Sequence, residues 1–204
     1  MVSPRVCAVV EVGRDVLAVP SPSRKGTRIP LLPPIGAEIP CSSLAINTPL
    51  KIRTALVTVD FRGGFKQRVD VNPDDPINSV RMRMVGLKFS AELPDGDEGA
   101  KRTITIEQND VDADAPSRLR VIQAFPPRFE HMIIANLTMA IEQSEGEPLI
   151  LTTKDPARLI GKLTQYPPKG DLYQLQEPVD LVLPDDPDTV IATIEKFPAK
   201  VGGL

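Results

Sequence analysis

His131 is the one histidine in 204 residues, and it lies in the run FPPRFEHMIIANLTMAIEQ, residues 125–143. An imidazole in such company could act as a general base, a polar anchor for a ligand, or a metal ligand. The last role needs thiol, carboxylate or imidazole partners at ligand spacing, and no His-Glu-x-x-His or comparable set is present. Cys7 and Cys41 fit no metal spacing and read as free thiols. A Gly-x-Ser-x-Gly elbow and a glycine-rich phosphate loop are also absent. The sequence therefore assigns no catalytic residue, no cofactor and no metal. His131 is expected to be a neutral, hydrogen-bonded wall residue, or the polar anchor of an otherwise apolar ligand site.

Two charged clusters were weighed beside it. Asp74 and Asp75 in the loop 72–76, with Asn109, Asp110, Asp112 and Asp114 in the loop 109–114, would form an oxygen-rich rim if both loops met at one end of a meander. Such a rim could hold calcium. EF-hand spacing fails, because Ala115 stands at the glycine position and Val121 at that of the closing glutamate. Calcium binding by these loops is left open. Arg24, Lys25 and Arg28 form a basic group in a Pro/Ser context, without the aromatic interleaving of a nucleic-acid platform. Net charge is −3, with ten basic against five acidic residues up to position 70 and fourteen against twenty-two beyond it. Opposite-signed faces of this kind could meet in an oligomer or orient a ligand.

The elements that must position these groups are mostly strands. Residues 1–49 read as an N-terminal hairpin (VCAVVEV, GRD, VLAV) and a Pro-rich arm packed on a main domain, 50–204. The segments LKIRTALVTVDF and FKQRVDV flank Arg62-Gly63-Gly64, a hairpin signal. In SVRMRMVGLKFSAEL, Val80, Met82 and Met84 hold the even apolar positions, whereas Leu87, Phe89, Ala91 and Leu93 hold odd ones. Strand period is two, so this change of parity predicts a β-bulge at Val85-Gly86, with glycine supplying the conformation. RTITIEQ and RLRVIQAF complete a three-strand meander.

Residues 129–142 suit either period. A strand would align Phe129, His131, Ile133, Ala135, Leu137, Met139 and Ile141 on one face. A helix would lack an N-cap and would end among acidic residues, so strand is favoured. Further on, EPLILTT and DLYQLQEPVDLVL read as strands. Asp155-Pro156 and Asp186-Pro187 look like helix starts, predicting short helices near 156–163 and 187–197. Proline, at 22 residues, is about twice its usual share, as befits punctuation between short elements.

These features predict a mainly β protein, an antiparallel β-sandwich or wide barrel with two short helices near the C-terminus. Met82, Met84, Phe89, Phe129 and Met139 are expected to face inward with His131 as a ligand-binding set. One functional reading follows: a small, largely apolar ligand held in or between the sheets, with shape-driven isomerase or cyclase activity as its enzymatic form. The alternative is a non-enzymatic, homo-oligomeric interaction protein working through its arm and edge strands. A closed void of ~300 Å³ or more near His131 would favour the first, and a solid core the second. The N-terminus lacks the apolar run of a signal peptide, and no stretch approaches a membrane span. The expected setting is cytoplasmic, with an apolar small molecule or another copy as partner, and neither nucleic acid nor membrane.

Overall fold

The computed structural model describes residues 31–93, 102–111, 113–143 and 146–203. The expected hairpin of 5–19, the basic group Arg24, Lys25 and Arg28, Cys7 and Asp112 lie outside the described residues. The strands are β1 (Glu38–Ile52), β2 (Ala55–Val71), β3 (Ser79–Leu93), β4 (Arg102–Gln108), β5 (Arg118–Gln123), β6 (Arg128–Ala135) and β7 (Leu137–Ile141). They continue with β8 (Leu149–Thr153), β9 (Ala157–Leu163), β10 (Lys169–Leu175), β11 (Val179–Leu183), β12 (Asp186–Ile194) and β13 (Ala199–Gly203). Residues 38–49, placed in the arm by sequence, thus belong to the first long strand.

All pairings are antiparallel, and together they describe eight staves. Three are the unbroken β1, β2 and β3. Five are broken midway, into β4/β5, β6/β7, β8/β9, β10/β11 and β12/β13. In the lower half, β3 pairs with β5, then β6, β9, β10 and β13 follow in turn, and β13 returns to β1. In the upper half, β4, β7, β8, β11 and β12 repeat the circuit, with β12 closing on β1. Among the described residues the staves close into an up-and-down β-barrel, interrupted between β3 and the β4/β5 stave. Its breaks fall at one level, the waist.

The waist accounts for four of the 22 prolines. Pro116, Pro156, Pro178 and Pro198 all lie in these breaks, where no ladder N–H is required. The two expected helices are corrected here. Residues 157–163 are β9, paired on both sides, and 186–194 are β12, paired with β11 and β1. Asp155-Pro156 marks a stave break rather than a helix start. Thr189, Val190, Ile191, Thr193 and Ile194 are β-branched, and both flanking strands offer ladders to complete.

Arg62-Gly63-Gly64 is no hairpin either, since β2 runs straight through it. The turn comes earlier, after Ile52, with Arg53 at φ 53°. The glycines serve close approach: a Cβ on Gly63 would overlap the Lys88 carbonyl, and one on Gly64 the Cys41 carbonyl. The bulge in β3 is present, with Lys66 opposite Gly86 and Gln67 opposite Met84, so Val85 is the extra residue. Gly86 itself needs no special conformation, and a Cβ there would meet nothing within 4 Å. A second bulge in β1, between Ala45 and Thr48, has Asn47 at φ 55° and marks the passage from β13 to β12.

The anticipated acidic rim does not assemble. The meander reading placed both loops at one end, but β4 and β5 are two halves of one stave. The loop 109–117 is therefore at the waist, whereas the turn 72–78 closes the lower end. The Asp75 carboxylate accepts from Asn78 at 3.2 Å, Asp74 pairs with Arg81 at 3.3 Å, and the Asn109 side chain accepts from the Val111 N–H at 3.0 Å. No group of three or more candidate metal ligands forms among the described residues. No helix among them is long and apolar enough to cross a membrane.

Candidate functional site

Residues 129–141 are strand rather than helix, as favoured from sequence, in two pieces broken at Asn136, and all seven residues of the expected face are buried. His131 is fully buried on β6, between Leu119 of β5 and Gly161 of β9. Across Gly161 lies Tyr173 of β10. The absent side chain at Gly161 is what joins them, because a Cβ there would come within 2.7–2.8 Å of three Tyr173 ring carbons. The phenol ring occupies that space and its hydroxyl hydrogen-bonds His131 Nδ1 at 2.7 Å. Tyr166, from the β9–β10 turn, meets the imidazole edge-on with centroids 5.5 Å apart. The turn is anchored over the end of β13 by the Gly203 N–H donating to the Pro168 carbonyl at 2.7 Å.

Burial sets the charge state of this layer. Desolvation lowers the His131 pKa to about 3, so the imidazole is neutral, and raises the Cys41 thiol to about 11. The Tyr166 and Tyr173 phenols are also pushed up, mainly by burial. Several polar atoms here have no partner among the described residues: His131 Nε2, the Tyr166 hydroxyl, Ser43 Oγ and both amide atoms of Gln67.

A pH dependence follows from the histidine. An unfolded chain takes up its imidazole proton near pH ~6.5, whereas the folded chain resists until about 3. This contribution to stability is full above pH ~6.5 and is lost as pH falls towards 3, by up to about 1.4 kcal/mol per pH unit. Denaturant midpoints should therefore drop between pH 6.5 and 5, before most carboxylates titrate, and His131→Gln should flatten that slope. A flat wild-type profile would contradict the burial.

Above this layer, at the waist, a small void of about 40 Å³ is lined by Ser43, Phe65, Phe89, Ala135, Tyr173 and Phe197, among others, and its surface is wholly apolar. Phe197 enters from the break between β12 and β13, its ring 5.7 Å from Phe61 and 5.4 Å from Phe89. The wall beside the void is incomplete. β3 pairs with β5 only through Arg81 and with β4 only from Lys88 onward, leaving a seam bridged by the Met82 N–H donating to the Ser117 carbonyl at 2.9 Å. A pocket of about 300 Å³ opens there, lined by Met82, Met84, Ser117 and Ala135 together with the charged Asp70, Arg81 and Arg83. Ala135 faces both pocket and void.

The expected set is thus divided. Met82 and Met84 line the seam, Phe89 lines the void, and His131 reaches the void through Tyr173. Phe129 and Met139 are core residues of the lower and upper halves and line neither. Tyr173, Tyr166, Gln67, Gly161 and Phe197 were missed. Gln67 carried a signal, a polar residue at an inward position between Phe65 and Val69.

Fold and site define a class: an eight-stave antiparallel β-barrel with a neutral polar layer beneath an apolar waist. In fold the chain is similar to DynF, from the dynemicin biosynthesis pathway of Micromonospora chersina. The two align over 94% of this chain and 92% of DynF with a TM-score of 0.58, and at 17% identity the likeness establishes a common fold. No protein-family model and no curated protein sequence matches the chain.

Proposed function

We propose that the barrel binds one small, largely apolar molecule, held through the seam and into the waist. The observation that carries this reading is Ala135, a residue that lines both the small apolar void and the neighbouring pocket of ligand size. The void alone, at about 40 Å³, has room for little more than water. The seam pocket, at about 300 Å³, adds the volume that small-molecule sites usually have, ~300 Å³ upward. Eight staves enclose an interior of the width that either fills with side chains or holds one small ligand. The likeness to a protein of a biosynthesis pathway supports a small-molecule role. An isomerase or cyclase activity would draw on the neutral His131–Tyr173 pair, the hydrogen-bonded pair of titratable groups in this interior.

Titration with an uncharged, environment-sensitive dye tests the reading. Wild type should bind saturably at one dye per chain, and Ala135→Leu and Met84→Trp should each weaken binding at least about tenfold while still melting cooperatively. Absence of saturable binding, or equal binding by both folded variants, would remove it. In that event a dimer or larger assembly of the ligand-free chain would favour the homo-oligomeric alternative.

A further inference from the structure

Resting on that reading, we propose that the polar layer of the lower half receives a neutral, oxygen-bearing end of the ligand, a hydroxyl or carbonyl group, and disfavours carboxylate or phosphate. The first observation is Gln67. It alternates inward with Phe65 and Val69, is fully buried, and has no partner for either amide atom among the described residues. A glutamine amide offers two donor hydrogens and an acceptor oxygen. Burying these groups unpaired costs stability, so a leucine here would make a more stable empty barrel.

The second observation is independent of the first. His131 spends Nδ1 on Tyr173 and leaves Nε2 unpartnered at zero exposure. The Tyr166 hydroxyl and Ser43 Oγ, also buried and unpartnered, belong to the same half of the barrel. Gln67, His131 and Tyr166 line neither the void nor the seam pocket, and the layer borders the proposed ligand path through their neighbours. Gln67 is directly opposite Met84, which lines the seam pocket, whereas Ser43 and Tyr173 line the void. A pure hydrocarbon would leave all of them unpaired.

Charge complementarity narrows the class. Among the described residues, no Lys, Arg, Asp or Glu is buried. Arg81 and Arg83 line the seam pocket, but both are partly exposed and already pair with Asp74 and Asp70, at 3.3 and 3.2 Å. An anionic head carried past them into the layer would lose its hydration without gaining a counter-charge there, which is costly. The imidazole supplies none, because burial keeps it neutral. A hydroxyl can donate to the Gln67 carbonyl oxygen or the imidazole and accept from the amide; a carbonyl can accept from the amide. Both satisfy the layer without bringing charge into it.

The experiment is displacement of the same uncharged dye by decane, decanol, decan-2-one and sodium decanoate at neutral pH, in wild type and Gln67→Leu. In wild type, decanol and decan-2-one should displace the dye at concentrations at least about tenfold below decane and decanoate. Gln67→Leu should erase the advantage over decane and melt at or above the wild-type temperature, which separates loss of selectivity from loss of fold. Decanoate matching or exceeding decanol would overturn the inference. So would a retained advantage in Gln67→Leu, which would mean that the amide only holds internal water. Both of those results leave apolar binding standing, whereas failure of the dye to bind wild type would overturn the binding reading and this inference together.

Discussion

Gly161→Ala is expected to lower the stability of the barrel by about 3 kcal/mol or more, measured by chemical denaturation. The added methyl would sit 2.7–2.8 Å from three carbons of the Tyr173 ring, closer than real Cβ contacts allow. Tyr173 is fully buried, and the void it lines measures only about 40 Å³, so its ring has little room to retreat. Any retreat stretches the 2.7 Å hydrogen bond to His131 and strands a phenol and an imidazole nitrogen without partners. Overpacking alone costs about 1–3 kcal/mol, and a broken buried hydrogen bond adds about 1–3 more. The near-ultraviolet tyrosine dichroism should change in parallel. Wild-type stability with an unchanged tyrosine signal would show that the ring does not cross β9 at Gly161.

Phe197→Ala should cost a comparable amount, about 3–5 kcal/mol, the usual range for deleting a buried phenyl ring. Its effect on binding should run the other way. The ring fills the waist against Phe61 and Phe89 and borders the void, so its removal enlarges an apolar space. Empty apolar cavities stay dry and accept hydrocarbons. The variant should therefore bind benzene-sized hydrocarbons more tightly than wild type, seen as a larger thermal stabilisation by saturating ligand. A cost below about 1 kcal/mol, or no gain in hydrocarbon binding, would mean that the upper half collapses into the space.

The parts of this architecture that follow from local period were legible in sequence. The alternation from Val80 to Leu93 gave the strand and its bulge, and the run from Phe129 to Ile141 gave a buried face with His131 in it. The errors share one cause. Asp155-Pro156, Asp186-Pro187 and Gly63-Gly64 carry the local chemistry of helix starts and turns, yet here they serve stave breaks, a strand start and close strand contact. Which of these uses applies depends on partners distant in the chain, and local preference is silent about those. The site was less legible than the fold for the same reason. His131 meets Tyr173 across 42 positions and through a glycine whose absent side chain is its contribution. Gln67 was the readable clue, since its parity places it indoors.

Native mass spectrometry of the protein purified from producing cells tests the central claim, that the barrel is built to hold one small, largely apolar molecule. A population carrying a single non-covalent adduct per chain is expected. The adduct should be released on denaturation as an uncharged, predominantly hydrocarbon compound bearing oxygen, and Met84→Trp should deplete it. Chains at their bare mass under gentle ionisation, with no compound recovered by solvent extraction and no mass gained on incubation with decanol, would contradict it.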